Sequence, residues 1–203
     1  LSELSLASLP PLPLIVKPNG EGSSMGIDGE TLCHSAAQVA TRVEALLADY
    51  GGAVQIEEFL PGAEVTVAVL GNGRAARVAA LVEVAPSCDS DHPFLYSLDA
   101  KRNWRERVRY HQPPRLPSAT LAALEQTALS AYHALGCRDL ARIDLRIDAA
   151  GRPALIELNP IPGLHPQTGD LPLGCARAGL SYEALIGGIV AAALQRPAAG
   201  TPR

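Results

Sequence analysis

Pro153-Ala-Leu-Ile-Glu-Leu-Asn-Pro-Ile-Pro-Gly163 is a strand-like run ending in a proline-rich turn, and its internal spacing decides how the surrounding chain folds. Glu157 and Asn159 stand two residues apart, so in a strand they share one face while Ala154, Ile156 and Leu158 share the other. Just upstream, Ala141 to Asp148 alternates in the same way: Ile143, Leu145 and Ile147 on one side, Arg142, Asp144, Arg146 and Asp148 on the other. Asp148-Ala-Ala-Gly-Arg152 lies between the two runs, and its Asp and Gly suit a short hairpin connection. With residues 149–152 as the loop, Asp144 falls opposite Glu157 and Arg142 opposite Asn159.

Directly opposed carboxylates have Cβ atoms about 5 Å apart and repel one another unless something positive lies between them. A hard divalent cation such as Mg²⁺ fits that position, because it takes carboxylate and amide oxygens together with phosphate oxygens. The alternative is a polar ribbon face whose repulsion is relieved by water. A one-residue slip in register would turn the whole face over.

A chain of 203 residues has room for one sizeable domain or two small ones tightly joined, and 47% hydrophobic with 19% charged residues is a globular composition. The net charge of -4 argues against nucleic acid or an anionic membrane as the main partner. Cys33, Cys88, Cys137 and Cys175 are too scattered for a zinc site and read as buried thiols of a reducing compartment. No apolar run reaches transmembrane length, and Leu1 to Leu14 lacks signal-peptide features, so the expected location is cytoplasmic. The opening at Leu1, with no clear element before the first strand, is expected of the middle of a longer protein.

Leu14-Ile-Val16 reads as a strand ending at Lys17, followed by Pro18-Asn-Gly-Glu-Gly-Ser-Ser-Met-Gly26. That loop can lay backbone N–H groups and hydroxyls around a phosphate with Lys17 supplying charge, or it is an ordinary flexible hairpin; it lacks the Walker pattern. Ser35 and Gln38 predict a capping box for a helix over Ala36–Tyr50 with Val39, Val43, Leu46 and Leu47 recurring at helical spacing, stopped by Gly51-Gly52. Val54 to Leu60 is the next strand, Pro61-Gly62 turns into a strand over Glu64–Leu70, and Gly71-Asn-Gly-Arg74 is a hairpin turn into Ala75–Ala85. Glu57, Glu58 and Glu64 cluster around one turn, either as a hydrated strand end or as acceptors for an exocyclic amine and ribose hydroxyls.

Pro86 to Pro117 reads as a long loop carrying Lys101, Arg102, Arg105, Arg107 and Arg109 with Tyr96, Trp104 and Tyr110, either a lid over polyphosphate or a solvated strand edge. Ser118 is expected to cap a helix over Ala119–Leu135 with Leu121, Leu124, Leu129, Tyr132 and Leu135 inward and Gly136 at its end. After Gly163 come His165, Thr168 and Asp170, an apolar stretch to Ala178, and a last helix capped by Ser181 through Leu194. His165 by itself reads as a structural residue more readily than as a base.

Four segments taken in order resemble the successive motifs of ATP-grasp ligases, specifically the D-alanine-D-alanine ligase group. They are Val16-Lys-Pro-Asn-Gly-Glu-Gly-Ser-Ser24, Ile56-Glu-Glu-Phe-Leu-Pro-Gly-Ala-Glu64, Ala141-Arg-Ile-Asp144 and Ile156-Glu-Leu-Asn-Pro-Ile-Pro-Gly163. The resemblance runs from about Leu12 to Arg196. It implies an α+β, ATP-grasp fold with two α+β subdomains whose antiparallel sheets grip the nucleotide between them. The implied division is an upstream remnant or linker (1–13), a central subdomain (14–85), a C-terminal subdomain with lid loop and metal-binding hairpin (86–196), and a flexible tail (197–203).

The resemblance also implies roles. Lys17 would contact the α/β phosphates under a loop of Glu21, Ser23 and Ser24. Glu57, Glu58, Phe59 and Leu60 would meet the adenine, and Glu64 the ribose. Asp144, Glu157 and Asn159 would hold two Mg²⁺ ions, with Mn²⁺ able to substitute. Arg142 and the Gly163 N–H would stabilise the acyl phosphate and tetrahedral intermediate, Lys101 would bind phosphate from the lid, and His165 and Thr168 would bind substrate. The implied activity is an ADP-forming, ATP-dependent carboxylate-amine ligase joining a small carboxylate or amino acid to an amine, with D-alanyl-D-alanine for peptidoglycan the best single product.

The implied partners are those small molecules, a second copy in a homodimer and the family's N-terminal domain, in cis or in trans; neither nucleic acid nor membrane is expected. Two departures bear on substrate: Arg102 stands where the family commonly has an aromatic after the lysine, and His165-Pro166 replaces its usual small hydroxylic residues. A nucleotide-binding module without turnover and an ATP-grasp relative with a non-amine acceptor remain the competing readings.

Overall fold

A computed structural model describes residues 9–88 and 93–196. The expected tail 197–203 and residues 1–8 of the expected upstream segment lie outside those residues. The described chain divides into two compact units, the first from Leu1–Pro61 with Pro86–Arg109 and the second from Gly62–Ala85 with Tyr110–Arg203.

In the first unit β1 (Leu14–Pro18) is the middle of three strands, antiparallel to both β2 (Leu32–Cys33) and β3 (Val54–Glu58). Helix α1 (Ala36–Tyr50) starts where Ser35 Oγ accepts from Gln38 N at 3.2 Å. Gln38 Oε1 in return accepts from His34 N at 2.7 Å, one residue before the position a capping box uses. Its buried stripe, Val39, Arg42, Val43 and Leu46, packs on Leu14, Val16 and Cys33. Leu47, expected inward, is 43% exposed because it falls on the flank of that stripe, whose other flank is Arg42. Gly51 and Gly52, at φ +66° and +65°, end the helix in a conformation that favours glycine. The third strand stops at Glu58, so Phe59 and Leu60 follow it instead of belonging to it; Phe59 is buried and its N–H donates to Pro13 O.

The second unit begins with β4 (Glu64–Leu70) and β5 (Arg77–Pro86), joined through a 3-10 turn at Gly73–Ala75 that is longer than the expected tight hairpin. Residues 86–117, expected as a loop, instead contain α2 (Leu98–Arg102), α3 (Trp104–Arg107) and β6 (Val108–His111). Ser97 Oγ caps α2 by accepting from Ala100 N, and helices this short leave no apolar periodicity to read. Helix α4 spans Ser118–Ala134 with Pro117 as N-cap, so Ser118 is the first helical residue and not the cap. Leu135 follows the last turn and is 63% exposed, outside the inward stripe of Leu124, Ala128 and Tyr132. Strands β7 (Leu140–Ile147) and β8 (Pro153–Asn159) complete a sheet in the order β6-β5-β4-β7-β8, and α5 (Asp170–Arg177) and α6 (Tyr182–Leu194), the latter capped by Ser181, close the chain.

The division differs from the expected cut at 85/86. Strand β4 pairs with β7 along its whole length, from Glu64 opposite Arg146 to Leu70 opposite Leu140, and this carries the β4–β5 hairpin into the second unit.

Period-2 alternation then sorts the second unit's side chains. Val65, Val67, Val69, Ile143, Leu145 and Ile147 face one way and pack with Leu124, Ala128 and Tyr132. The opposite face is apolar at one end, where Ala68, Leu70 and Leu140 pack with Leu171, Cys175 and Leu185, and polar at the other, with Glu64, Thr66, Asp144 and Arg146. The buried Tyr132 hydroxyl donates to Gly71 O at 2.8 Å, and burial raises its pKa to about 12. Cys33 and Cys175 are buried, Cys137 is half-buried and Cys88 is exposed just past the end of β5, which corrects the expectation of four buried thiols; all four are free. Among the described residues no single helix is long and apolar enough to cross a membrane.

Candidate functional site

Strands β7 and β8 bring the predicted opposition about: Asp144 faces Glu157 and Arg142 faces Asn159. Nearer the turn the register shifts between Asp144 and Leu145, so that Leu145 lies opposite Leu155 and Ile156 is the extra residue of a bulge. Leu155 therefore takes the position opposite Leu145 that strict alternation would give to Ile156, and Ile156 and Leu155 are 43% and 44% exposed. Asp148 shapes the turn, its Oδ1 accepting from Ala150 N and Arg152 N and its Oδ2 from Arg152 Nε.

The positive group beside the two carboxylates is the Arg142 guanidinium. Nε donates to both oxygens of Asp144 at 3.2 and 3.0 Å, and Nη2 reaches Oδ2 at 2.8 Å and Glu157 Oε1 at 3.5 Å. Thr66 Oγ1 donates to Asp144 Oδ1 at 2.9 Å from the neighbouring strand. Burial pushes the Asp144 carboxyl above its ordinary pKa even against the pull of Arg142 and Thr66. For Arg142 burial acts to lower the pKa, and the carboxylates of Asp144, Asp170 and Glu157 outweigh it and raise the value.

Glu157 is half exposed, and Asn159 Oδ1 accepts from Ile161 N at 3.0 Å, keeping a second lone pair. Among the described residues no three His, Cys, Asp or Glu side chains gather as a metal site. Two carboxylates and a carboxamide on one face form an all-oxygen donor set, which fits a hard cation better than a soft one. The raised Asp144 pKa points the same way: one guanidinium and one hydroxyl do not fully compensate its buried charge.

Glu64 is two positions along the same face, opposite Arg146, whose Nη1 lies 3.3 Å from Glu64 Oε2 while its Nε donates to Gly62 O. Burial lowers the Arg146 pKa, opposed by Glu64. Past Gly163 the chain folds tightly. Thr168 N and Gly169 N both donate to His165 O, and Gln167 N donates to His165 Nδ1 at 3.2 Å, which leaves the ring proton on Nε2. A Cβ on Gly169 would lie 2.7 Å from Gly163 O and 2.9 Å from His165 O, so any larger residue at 169 would force this loop to shift.

The first unit gathers a second set. Lys17 Nζ meets Glu57 Oε2 at 2.6 Å, and Gln55 Nε2 donates to Glu57 Oε1, so Glu57 serves here as the lysine's counter-ion. Glu21 is exposed in the glycine loop, and Ser23 and Ser24 both hold positive φ, 56° and 60°, a conformation that costs a non-glycine residue. Ser24 Oγ donates to Tyr96 O at 2.9 Å, and the Lys101 ammonium lies 4.9 Å from the Tyr96 ring centroid. Ser24 and Lys101 thus meet at Tyr96, while Glu58 is exposed at the end of β3.

A profile of the family described as "D-ala D-ala ligase C-terminus" matches residues 5–191, a span that contains every candidate residue above. The chain belongs to this family.

Among curated proteins it is 38% identical over 178 residues to a D-alanine–D-alanine ligase of Albidiferax ferrireducens, covering 85% of this chain and 47% of that protein. It is 41% identical over 178 residues to one of Methylibium petroleiphilum, covering 86% and 51%. The chain spans about half the length of the curated relatives it matches. Among solved structures, the VanG D-Ala:D-Ser ligase of Enterococcus faecalis superposes at a TM-score of 0.69 with 24% identity over 89% of this chain and 49% of that one. The D-alanine–D-alanine ligase of Bacillus anthracis complexed with ATP superposes at 0.67 with 21% identity over 91% and 53%. The antiparallel α+β architecture is thus that of D-alanine–D-alanine ligase structures.

Four contributors were missed in the sequence. Thr66 and Arg146 were legible as polar members of alternating strands but were not connected to Asp144 and Glu64. Tyr110, whose hydroxyl donates to Asp170 at 2.8 Å, lies in a four-residue strand too short to leave a pattern in the sequence. Arg42 carried the clearest signal, a charge on the apolar stripe of a helix.

Proposed function

We propose that this family member is the nucleotide- and metal-binding part of an ATP-dependent carboxylate-amine ligase, with D-alanyl-D-alanine formation the leading assignment. The observation that carries the reading is the β7–β8 register, which sets Asp144 against Glu157 and Arg142 against Asn159. The names of the curated relatives and the ATP complex of one structural neighbour support it.

In the second unit Asp144, Glu157 and Asn159 would hold Mg²⁺, whose charge would neutralise a transferring phosphoryl group. Arg142, already beside both carboxylates, would turn its guanidinium to the developing oxyanion together with the Gly163 N–H. Glu64 would accept from ribose hydroxyls, and His165, with its proton on Nε2, would donate to an anionic substrate group alongside Thr168. In the first unit Lys17 would exchange Glu57 for the phosphates, beneath a loop of Glu21, Ser23 and Ser24. The Glu58–Leu60 segment, with Glu57, would meet the base, and Lys101 would leave the Tyr96 ring for phosphate.

The reaction has two steps. A substrate carboxylate oxygen attacks the γ-phosphorus of ATP, ADP leaves, and an acyl phosphate forms. The amine of the second substrate then attacks the acyl carbon, loses a proton, and inorganic phosphate departs as the C–N bond closes. Positioning of this kind can be worth roughly 7 to 11 kcal/mol. The half of the relatives' length that this chain does not span would complete the first-substrate side, in cis or in trans.

The test is ADP release by the 203-residue chain with amino acids singly and in pairs, run beside calorimetry with a non-hydrolysable ATP analogue. Binding with slow turnover, raised by adding the segment corresponding to the rest of the relatives, is the expected result. Release of ADP equally fast with no amine present would favour a different acceptor, and failure to bind Mg-ATP would overturn the proposal.

A further inference from the structure

The glycine loop is fastened at its exit by a side chain with no assigned role. Arg42 is 8% exposed and its Nη2 donates to Gly26 O at 2.9 Å, Asp28 Oδ2 at 2.9 Å and Thr31 Oγ1 at 3.4 Å, while Nη1 lies 3.5 Å from Glu30 Oε2. Thr31, fully buried, accepts from Val16 N through its carbonyl, which joins the same knot to the strand that carries Lys17.

Upstream of this knot the loop is held by two turn bonds, Met25 N to Gly22 O and Ile27 N to Ser24 O. Among the described residues the N–H groups of Gly20, Glu21, Gly22, Ser23 and Ser24 donate to no backbone carbonyl. Successive outward N–H groups on a left-handed turn form an anion-binding concavity. Two consecutive non-glycine residues at positive φ keep that shape only when their surroundings enforce it. The surroundings are Arg42 at the exit, the Ser24–Tyr96 bond at the middle, and Gly26, where a Cβ would lie 2.6 Å from the Pro18 ring.

We propose that Arg42 is the positioning residue of the glycine loop: by gathering Gly26, Asp28, Glu30 and Thr31 it holds Gly20–Ser24 in the shape that presents their N–H groups to a nucleotide polyphosphate. This rests on the reading of that loop as the phosphate-binding element. Arg42 itself is buried at the loop exit, with its guanidinium nitrogens turned to Gly26, Asp28, Glu30 and Thr31. Its loss acts on phosphate recognition alone, leaving the adenosine contacts in place.

The experiment compares the affinities of a non-hydrolysable Mg-ATP analogue and of adenosine for the 203-residue chain and its Arg42→Gln, Arg42→Lys and Asp28→Asn variants. Losing a charge-assisted clamp in Arg42→Gln should weaken the analogue by about tenfold or more while adenosine changes by less than about twofold. Arg42→Lys, which keeps the charge but reaches fewer partners, should recover part of the loss. If Arg42→Gln does not fold, Asp28→Asn carries the test: Asp28 is 54% exposed, its removal spares the core, and the analogue should again weaken more than adenosine. Equal weakening of both ligands, or unchanged affinity for both, overturns the positioning role while leaving the nucleotide reading intact. Wild-type protein that binds adenosine and the analogue alike overturns the phosphate reading and this inference with it.

Discussion

Replacing Arg142 with methionine tests the charge balance of the β7–β8 face directly. The substitution keeps the length and apolar stem but removes three contacts to Asp144, at 3.2, 3.0 and 2.8 Å, and the 3.5 Å approach to Glu157. Arg142 and Asp144 side chains are each 15% exposed, so their separation belongs to the class of broken buried pairs, about 3 to 5 kcal/mol, and residual solvent puts it near the lower end. Glu157, at 52% exposure and 3.5 Å, adds little, toward the low end of the roughly 0.2 to 1 kcal/mol of surface pairs. A loss of about 3 kcal/mol in a protein of this size lowers the melting temperature by roughly 6 to 12 °C.

Without the guanidinium, two opposed carboxylates are left for a cation to neutralise, and Mg²⁺ at about 100 times its dissociation constant returns about 2.7 kcal/mol. Melting of wild type and variant near neutral pH, in millimolar Mg²⁺ or NaCl of matched ionic strength, gives the answer. The expected pattern is a destabilised variant that Mg²⁺ rescues further than it stabilises wild type. A variant that melts with wild type in NaCl, or one that Mg²⁺ does not lift preferentially, refutes the account of this face.

Lys17→Ala should weaken ATP relative to adenosine by about 1.5 to 3 kcal/mol, one to two decades in affinity, and parallel losses would show that Lys17 serves Glu57 only. Gly169→Ala should cost about 1 to 3 kcal/mol in urea unfolding, since its Cβ meets two carbonyl oxygens under 3 Å away, and a neutral result would mean that the Gly163–Asp170 loop opens freely. For Glu83, burial acts to raise the pKa, but three bonds from Arg115 outweigh it and hold the carboxyl below its ordinary value. Its contribution is therefore complete above the unfolded value, about 4.3, and is lost as pH falls through the lower folded one. The stability of Glu83→Gln should fall less steeply than that of wild type over that acid range; identical slopes would remove Glu83 from the acid response.

The opposition of Asp144 and Glu157 is legible because the alternation is unbroken from the pair away from the turn, through Ile143 and Arg142 on one strand and Leu158 and Asn159 on the other. The bulge is not, since Leu155 and Ile156 are both apolar and either suits the inner position. Leu47 and Leu135 are exposed for a related reason: helical spacing defines a stripe, and residues on its flank or past its end satisfy the period without being covered. The division into compact units departs from a cut near residue 85 because the pairing of β4 with β7 is set by tertiary contact between residues 70 or more apart, which no local pattern records. Tyr96, the contact shared by Ser24 and Lys101, was hidden by helices of five and four residues in a stretch that looked structureless. Arg42 was visible as an anomaly, and only the positions of its partners gave that anomaly a meaning.

The pairing of β4 with β7 also schedules the birth of the protein. At a synthesis rate of about 5 to 20 residues per second, Leu140 leaves the peptidyl-transferase centre roughly 4 to 14 s after Leu70, its ladder partner. Throughout that interval the nascent β4, rich in valine and flanked on one side by β5 alone, shows an open hydrogen-bonding edge to whatever is nearby. The first unit waits as well, because its last piece, 86–109, is translated only after both strands of that hairpin. Neither unit can therefore be finished and set aside before the other begins. A ribosome carrying this message holds two half-built bodies at once, and the stretch between β5 and β7 is where a chaperone would have most to shield.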